Sequence, residues 1–309
     1  MALNDTTELI SLARLRGSIP SNSPDWNLSA LLAQASRELL STHLPMLVAA
    51  RGEYLVKTVD LPCVQGQRAY RLPARCAAVR GVQYLQADGG VRTLEEATPM
   101  DLSDAEVNLN RIGTPIRYVF TEHSLELFPL PQNAADSIRV KYHVRPSRLI
   151  DTANATTFSR AITGISPNTP VAGQTRLTFA TLGSSFTGVT VDFVKATSPF
   201  DIMAFDVPVV SAPSGTQLDF ASANLPADLA VGDWWSTSNY SPFPNMPVEL
   251  HEPLALRLAA AVVTAKDPKL ARNLEAEADA KEKRLLVGIL APRSKGNVKR
   301  LVGRDWRRL

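Results

Sequence analysis

Ile138-Arg139-Val140-Lys141-Tyr142-His143-Val144-Arg145 alternates without a break. Ile138, Val140, Tyr142 and Val144 fall on one side of an extended chain, and Arg139, Lys141, His143 and Arg145 on the other. A period of two predicts a strand with one face in a core. The outer face reads either as a solvated surface or as a basic strip for an acidic partner or nucleic acid.

Upstream of this strand the signal stays β-like back to Glu53. Tyr54-Leu-Val-Lys-Thr-Val-Asp60 and Gln67-Arg-Ala-Tyr-Arg-Leu-Pro73 are β-rich. Gly81–Gln86 and Val91–Leu94 flank Ala87-Asp-Gly-Gly90, where glycine accepts positive φ, so a hairpin is expected. Ile116–Phe120 and Ser124–Phe128 form a second candidate hairpin around Thr121-Glu-His123, while Pro99–Glu106 reads as a short helix or irregular. The stretch 53–146 is therefore a candidate β-domain.

Further outward the pattern becomes helical on both sides. Thr6–Arg16 predicts a helix capped by Thr6 or Thr7 and closed by Gly17. Leu28, Leu31, Leu32, Ala35 and Leu39 then mark one face of a helix running to about His43; Pro45 perturbs its end, with a further turn through Leu44, Met46, Leu47 and Val48 as the alternative. Past 247, Pro253 suits a first helical turn, and Leu254, Leu258, Ala261, Val262 and Ala265 share a face. Asp267-Pro268 starts a new helix or kinks a continuous one, with the thinner stripe Leu270, Leu274, Ala278, Lys281 and Leu285. Residues 1–50 and 247–290 are expected to share a helical bundle core.

Between these regions, 152–240 changes character. Ser, Thr, Gly, Asn and Pro dominate, and Arg160, Arg176 and Lys195 face six aspartates, a net of −3. Short β-runs recur at 175–180, 189–194, 205–210 and 217–220, which predicts an inserted β-module. In Gly232-Asp-Trp-Trp-Ser236 the tandem tryptophans of a strand point to opposite faces, so at least one belongs to a core. An exposed one could stack on a sugar or a base.

The end of the chain, 291–309, carries seven basic residues against Asp305, a net of +6 on a chain whose total is +3. It is too short and too charged to bury a core of its own. Val298, Leu301, Val302, Trp306 and Leu309 sit among the charges. Phosphate binding needs no aliphatic spacing, so this mixture points to docking on a protein; a solvated end and non-specific nucleic-acid contact are the competing readings. The fold class expected is α+β, ending in an extended arm.

Chemistry is sparse. There is no G-x-S-x-G, H-E-x-x-H, Walker A or G-x-G-x-x-G pattern. His43, His123, His143 and His251 are scattered, and Cys63 and Cys76 form no CxxC, so no zinc site is expected. The cysteines read as reduced thiols, with a disulfide as the alternative. His123 beside Ser124, and His251-Glu252 without a second histidine, are weak as catalytic or metal sites. No run of about 18 apolar residues predicts a membrane helix, and the N-terminus does not read as a secretory signal.

The order of these pieces resembles the head-to-tail adaptor (connector) proteins of tailed bacteriophages, the short-tailed type above all. The resemblance is carried by Leu9–Pro20, Leu28–Leu39, Glu53-Tyr-Leu-Val and Tyr70-Arg-Leu-Pro-Ala-Arg75. It continues through Leu125-Glu-Leu-Phe-Pro129, Val140–Pro146, Gly232-Asp-Trp-Trp and Pro247–Ala255 to the closing basic tail. It implies a non-enzymatic virion protein, made in the host cytoplasm, without cofactor, metal or membrane contact. It implies a homo-oligomeric ring of about twelve copies under the portal protein at the tail vertex. A tail, nozzle or fibre protein would lie below, and genome DNA would pass through the lumen without specific binding. The portal-contact residues implied are Arg293, Lys295, Lys299, Arg300, Leu301, Arg304, Trp306, Arg307 and Arg308. The alternative is a carbohydrate- or nucleic-acid-binding module using the tryptophans or the tail.

Overall fold

The computed structural model describes residues 5–49, 55–98, 111–121, 124–151, 158–167, 171–180, 186, 188–197 and 202–288. It is α+β. The helices are α1 (Thr6–Gly17), α2 (Leu28–Glu38), α3 (Leu44–Ala49), α4 (His251–Val263) and α5 (Pro268–Gly288).

α1 is capped by Asp5, one residue ahead of the expected threonines; its side chain accepts from the Glu8 N–H at 2.9 Å. Thr6 is instead drawn inward, donating its hydroxyl to the Ile150 carbonyl at 2.7 Å. The helix is closed by Ser18 in the left-handed region (φ 49°), not by Gly17. Gly17 serves packing instead. A Cβ there would meet Ile19 Cδ1 at 3.0 Å and Val263 Cγ1 at 3.2 Å, so its hydrogen lets α1 approach α4.

α2 starts at Asn27, whose side chain accepts from the Ala30 N–H at 2.9 Å. The helix expected over 28–43 becomes α2 plus a π-turn, Leu39–His43, running into α3. Pro45 lacks an N–H for the Ser41 carbonyl and would crowd it, and the wider turn before it relieves that conflict.

α4 is buried on nearly all sides, from Pro253, Leu254, Ala255 and Leu256 to Val262 and Val263. The single apolar face read from the sequence understated this, because α1, α2 and α5 all pack on it and Ala residues fill the close approaches. Ala265, expected on that face, lies past the helix end and is exposed. α5 is a separate helix rather than a continuation: Asp267 caps it, accepting from the Leu270 N–H at 2.9 Å, and it runs back along α4.

Ser137–Val144 is the second strand of a four-stranded antiparallel sheet, between Val56–Pro62 and Cys76–Leu85, with Val91–Thr93 beyond. Gly89 (φ 92°) turns the hairpin from Leu85 to Val91. A second sheet runs in the order Ala69–Arg71, Ser124–Phe128, Arg117–Thr121, Glu95–Glu96. Val82, Tyr84, Ile138 and Val140 of the first sheet and Tyr70, Tyr118, Leu125 and Leu127 of the second form one buried cluster. That is the expected inward side of the alternating strand. Its outer side is not uniform: Arg139 is held by Asp60 through two 2.8 Å bonds, Lys141 is half-buried, His143 is buried, and Arg145 at the end is exposed.

The remaining strands form a seven-stranded antiparallel array running Ile202–Pro208, Thr190–Val194, Trp234–Thr237, Ser159–Pro167, Gln174–Phe179, Gln217–Ala221, Ser211–Ser214. Its first and last members are consecutive in the chain. Val209 N–H donates to the Val189 carbonyl (3.0 Å) and Val210 N–H to the Asp219 carbonyl (2.9 Å), so one bent stretch closes both edges. The array is therefore a small barrel. Ile162, Leu177, Phe179, Val191, Phe193, Leu218, Phe220 and Trp235 fill it. Leading into and out of it, Arg148–Leu149 and Tyr240–Ser241 run side by side as a parallel pair.

Candidate functional site

Every sequence-predicted contact residue of the arm, Arg293, Lys295, Lys299, Arg300, Leu301, Arg304, Trp306, Arg307 and Arg308, lies outside the described residues. What the structure does describe is α5, the helix that precedes them, and charges from several elements hold it. α5 buries Ala271, Leu274 and Ala278 against α4. Beside them Glu282 is also buried, which the sequence stripe missed because a glutamate reads as an outer-face residue.

Glu282 is held by a fork. Arg257 on α4 donates from Nε to Oε1 at 2.7 Å and from Nη2 to Oε2 at 2.6 Å, and Nη2 also reaches Asp279 at 2.6 Å. His43 Nε2, from the π-turn, lies 3.3 Å from Glu282 Oε1. Burial pushes the Glu282 carboxyl up, but Arg257 and His43 outweigh it and hold the group down to about 2. The more exposed side of α5 is stitched as well: Lys281 meets Glu252 at 2.6 Å and Glu277 at 2.9 Å, and Arg16 of α1 meets Glu252 at 3.4 Å. Charges from α1, α4 and the π-turn thus fix α5 against the helical cluster.

A second ionic joint links the barrel to the strand sandwich. Arg75 Nη1 lies 2.8 Å from Asp192 Oδ2, its Nε donates to Asn239 Oδ1 at 2.9 Å, and its guanidinium stands 5.2 Å from the Phe205 ring centroid. Asp192 also accepts from the Asp206 and Asn239 N–H groups. Burial pushes its carboxyl up to about 6 against the pull of Arg75. Lys57 adds a bond to the Ile202 carbonyl at 2.9 Å.

Ser124 spends its hydroxyl on the Thr121 carbonyl, and His123 lies outside the described residues. Among the described residues no group of His, Cys, Asp and Glu could hold a metal, and Cys63 and Cys76 are free thiols. Trp235 is enclosed in the barrel between Phe179 and Phe186, and Trp234 is half-buried edge-on to Phe243 at 5.6 Å, so neither ring offers an open stacking platform. No described helix is long and apolar enough to cross a membrane.

The described charge clusters join elements to one another, and comparison with known families places the chain. Residues 4–168, just over half of the chain, match the model of a family described as SU10 adaptor protein. The chain belongs to the SU10 adaptor protein family. The resemblance to phage head-to-tail adaptors read from its sequence is thereby shown, at the level of adaptor. A search among curated proteins finds no match. In this adaptor the matched part spans α1 to α3, the two-sheet sandwich and the first barrel strand; α4, α5 and the rest of the barrel follow it.

Proposed function

We propose that this adaptor is a passive joint of the virion neck, of the short-tailed phage type. Its copies close into a ring of about twelve below the portal protein, leaving a lumen for genome DNA that it does not read. It carries out no reaction and uses no cofactor. The adaptor-family match is the observation that carries this reading.

On this reading 1–50 and 247–290 make up a helical core, 53–146 is a β-domain, 152–240 is an insert and 291–309 is the portal-docking arm. The parallel pair at 148–149 and 240–241 supports the insert: leads that lie side by side let a barrel be added without disturbing the parts around it. The barrel would face a tail or fibre protein. The ionic clamp at Glu282 supports the arm, because a rigid root lets the terminus search a smaller volume before docking. Arg and Trp are the residue types that anchor interfaces most often, and repetition around a ring multiplies a weak single contact.

Truncation before Ala291 tests this. The shortened chain should keep its far-ultraviolet spectrum and lose portal binding; retained binding would remove the arm from the account.

A further inference from the structure

A cleft of about 610 Å³ opens where the two sheets of the sandwich diverge. It is lined by Arg71, Pro73, Phe120 and Arg145 and by four consecutive residues of one strand, Cys76 to Val79. Four residues in a row can line a cleft only if the strand presents its edge rather than one face. The pairing agrees. On one side Cys76, Ala78 and Val79 meet Val144, His143 and Tyr142, whereas on the other the neighbouring strand Val91–Thr93 reaches only Gln83–Leu85. Among the described residues, no strand covers the outer edge of Cys76–Val79. Arg71 and Arg145 are exposed, and among the described residues neither has an acidic partner. An open strand edge with two unspent guanidinium groups beside it suits an extended acidic segment.

The chain itself contains such a segment. Pro99-Met-Asp-Leu-Ser-Asp-Ala-Glu-Val-Asn-Leu-Asn110 has three acids, no basic residue and apolar residues between them. It continues from Glu95–Glu96, the strand at one edge of its sheet, while Ala69–Arg71 forms the opposite edge three strand spacings away, about 14 Å. Glu95 and Glu96 are thus exposed at one edge of this sheet and Arg71 at the other. That is the arrangement a head-to-tail contact between identical copies requires, since each then offers both halves of the interface.

We infer that the cleft at Arg71 and Arg145 receives residues 99–110 of a second copy, laid along the edge of Cys76–Val79. This rests on the ring reading for its biological setting. It does not require the arm or the portal.

The test uses the full chain at low ionic strength and a labelled synthetic peptide of residues 97–112. Saturable binding that weakens at least about tenfold in Arg71→Glu/Arg145→Glu, and falls with added salt, is expected. No binding, or equal binding to the charge-reversed chain, overturns the inference; so would a cleft already filled by its own segment, since the peptide could not then enter. A second arm covers misfolding. Arg71→Glu/Arg145→Glu and Asp101→Lys/Asp104→Lys/Glu106→Lys should each fail to self-associate, yet associate with each other when mixed, because each supplies the half the other now fits. Failure of the mixture also overturns the inference. The ring itself is judged separately, from the mass of the complex with portal.

Discussion

Replacing Glu282 by Gln removes one charge from α5 and leaves the side chain's shape almost unchanged. Glu282 is 6 % exposed and takes both bonds of the Arg257 fork, so the variant strands a half-buried guanidinium with Asp279 as its only remaining acid among the described residues. Breaking a buried pair from one side costs about 3–5 kcal/mol. The lowered carboxyl value points the same way. A carboxyl held at about 2 instead of 4.5 contributes roughly 3 kcal/mol at neutral pH. The sign follows from the lowered value: the contribution is complete above the unfolded value near 4.5 and is lost as pH falls toward 2. Urea denaturation followed by far-ultraviolet ellipticity should therefore show a loss of about 3 kcal/mol at neutral pH in Glu282→Gln. The variant should also show a shallower decline on acidification. Replacing both partners, as Arg257→Met with Glu282→Leu, should restore most of the loss, since an apolar pair of similar volume is often neutral. A Glu282→Gln chain within about 0.5 kcal/mol of the parent, with the same acid slope, would refute the clamp.

Three further outcomes are expected. Asp192→Asn should remove a pH dependence of opposite sign: the parent's barrel junction is favoured below pH about 4 and loses that contribution as pH rises through about 6, whereas the variant stays flat, as proteolysis of the junction across that range would read. Gly17→Ala should cost about 1–3 kcal/mol by pressing Cβ on Ile19 and Val263, visible as a lower thermal midpoint. Trp235→Ala should cost about 3–5 kcal/mol and quench the near-ultraviolet signal of the barrel, because the fully buried ring touches Phe179 and Phe186.

The strand Ser137–Val144 and the helix starting at Leu28 were legible because each turns one side into a core, so periodicity maps directly onto burial. α4 was only half legible: with helices on three sides its polar minimum disappears, and the pattern shows a face where the fold has a core. Glu282, Asp192 and Arg75 could not be found at all, since a charge is buried only when a partner far along the chain arrives. Arg257 is 25 residues from Glu282, and Asp192 is paired across elements with Arg75. The one local hint was Pro45, which foretold the irregular turn that brings His43 to Glu282. The closure of the barrel was hidden for another reason: only 205–210 of this stretch reads as a β-run, and the bend at Val209 and Val210 inside it joins the edges.

The central claim is that identical copies grip one another and a portal through surfaces of this chain. Native mass measurement of the full chain mixed with its portal protein tests it most directly. A complex containing a closed ring of adaptor copies, lost when the chain stops before Ala291, is the predicted result. A single adaptor per portal assembly, or no complex at all, would contradict it.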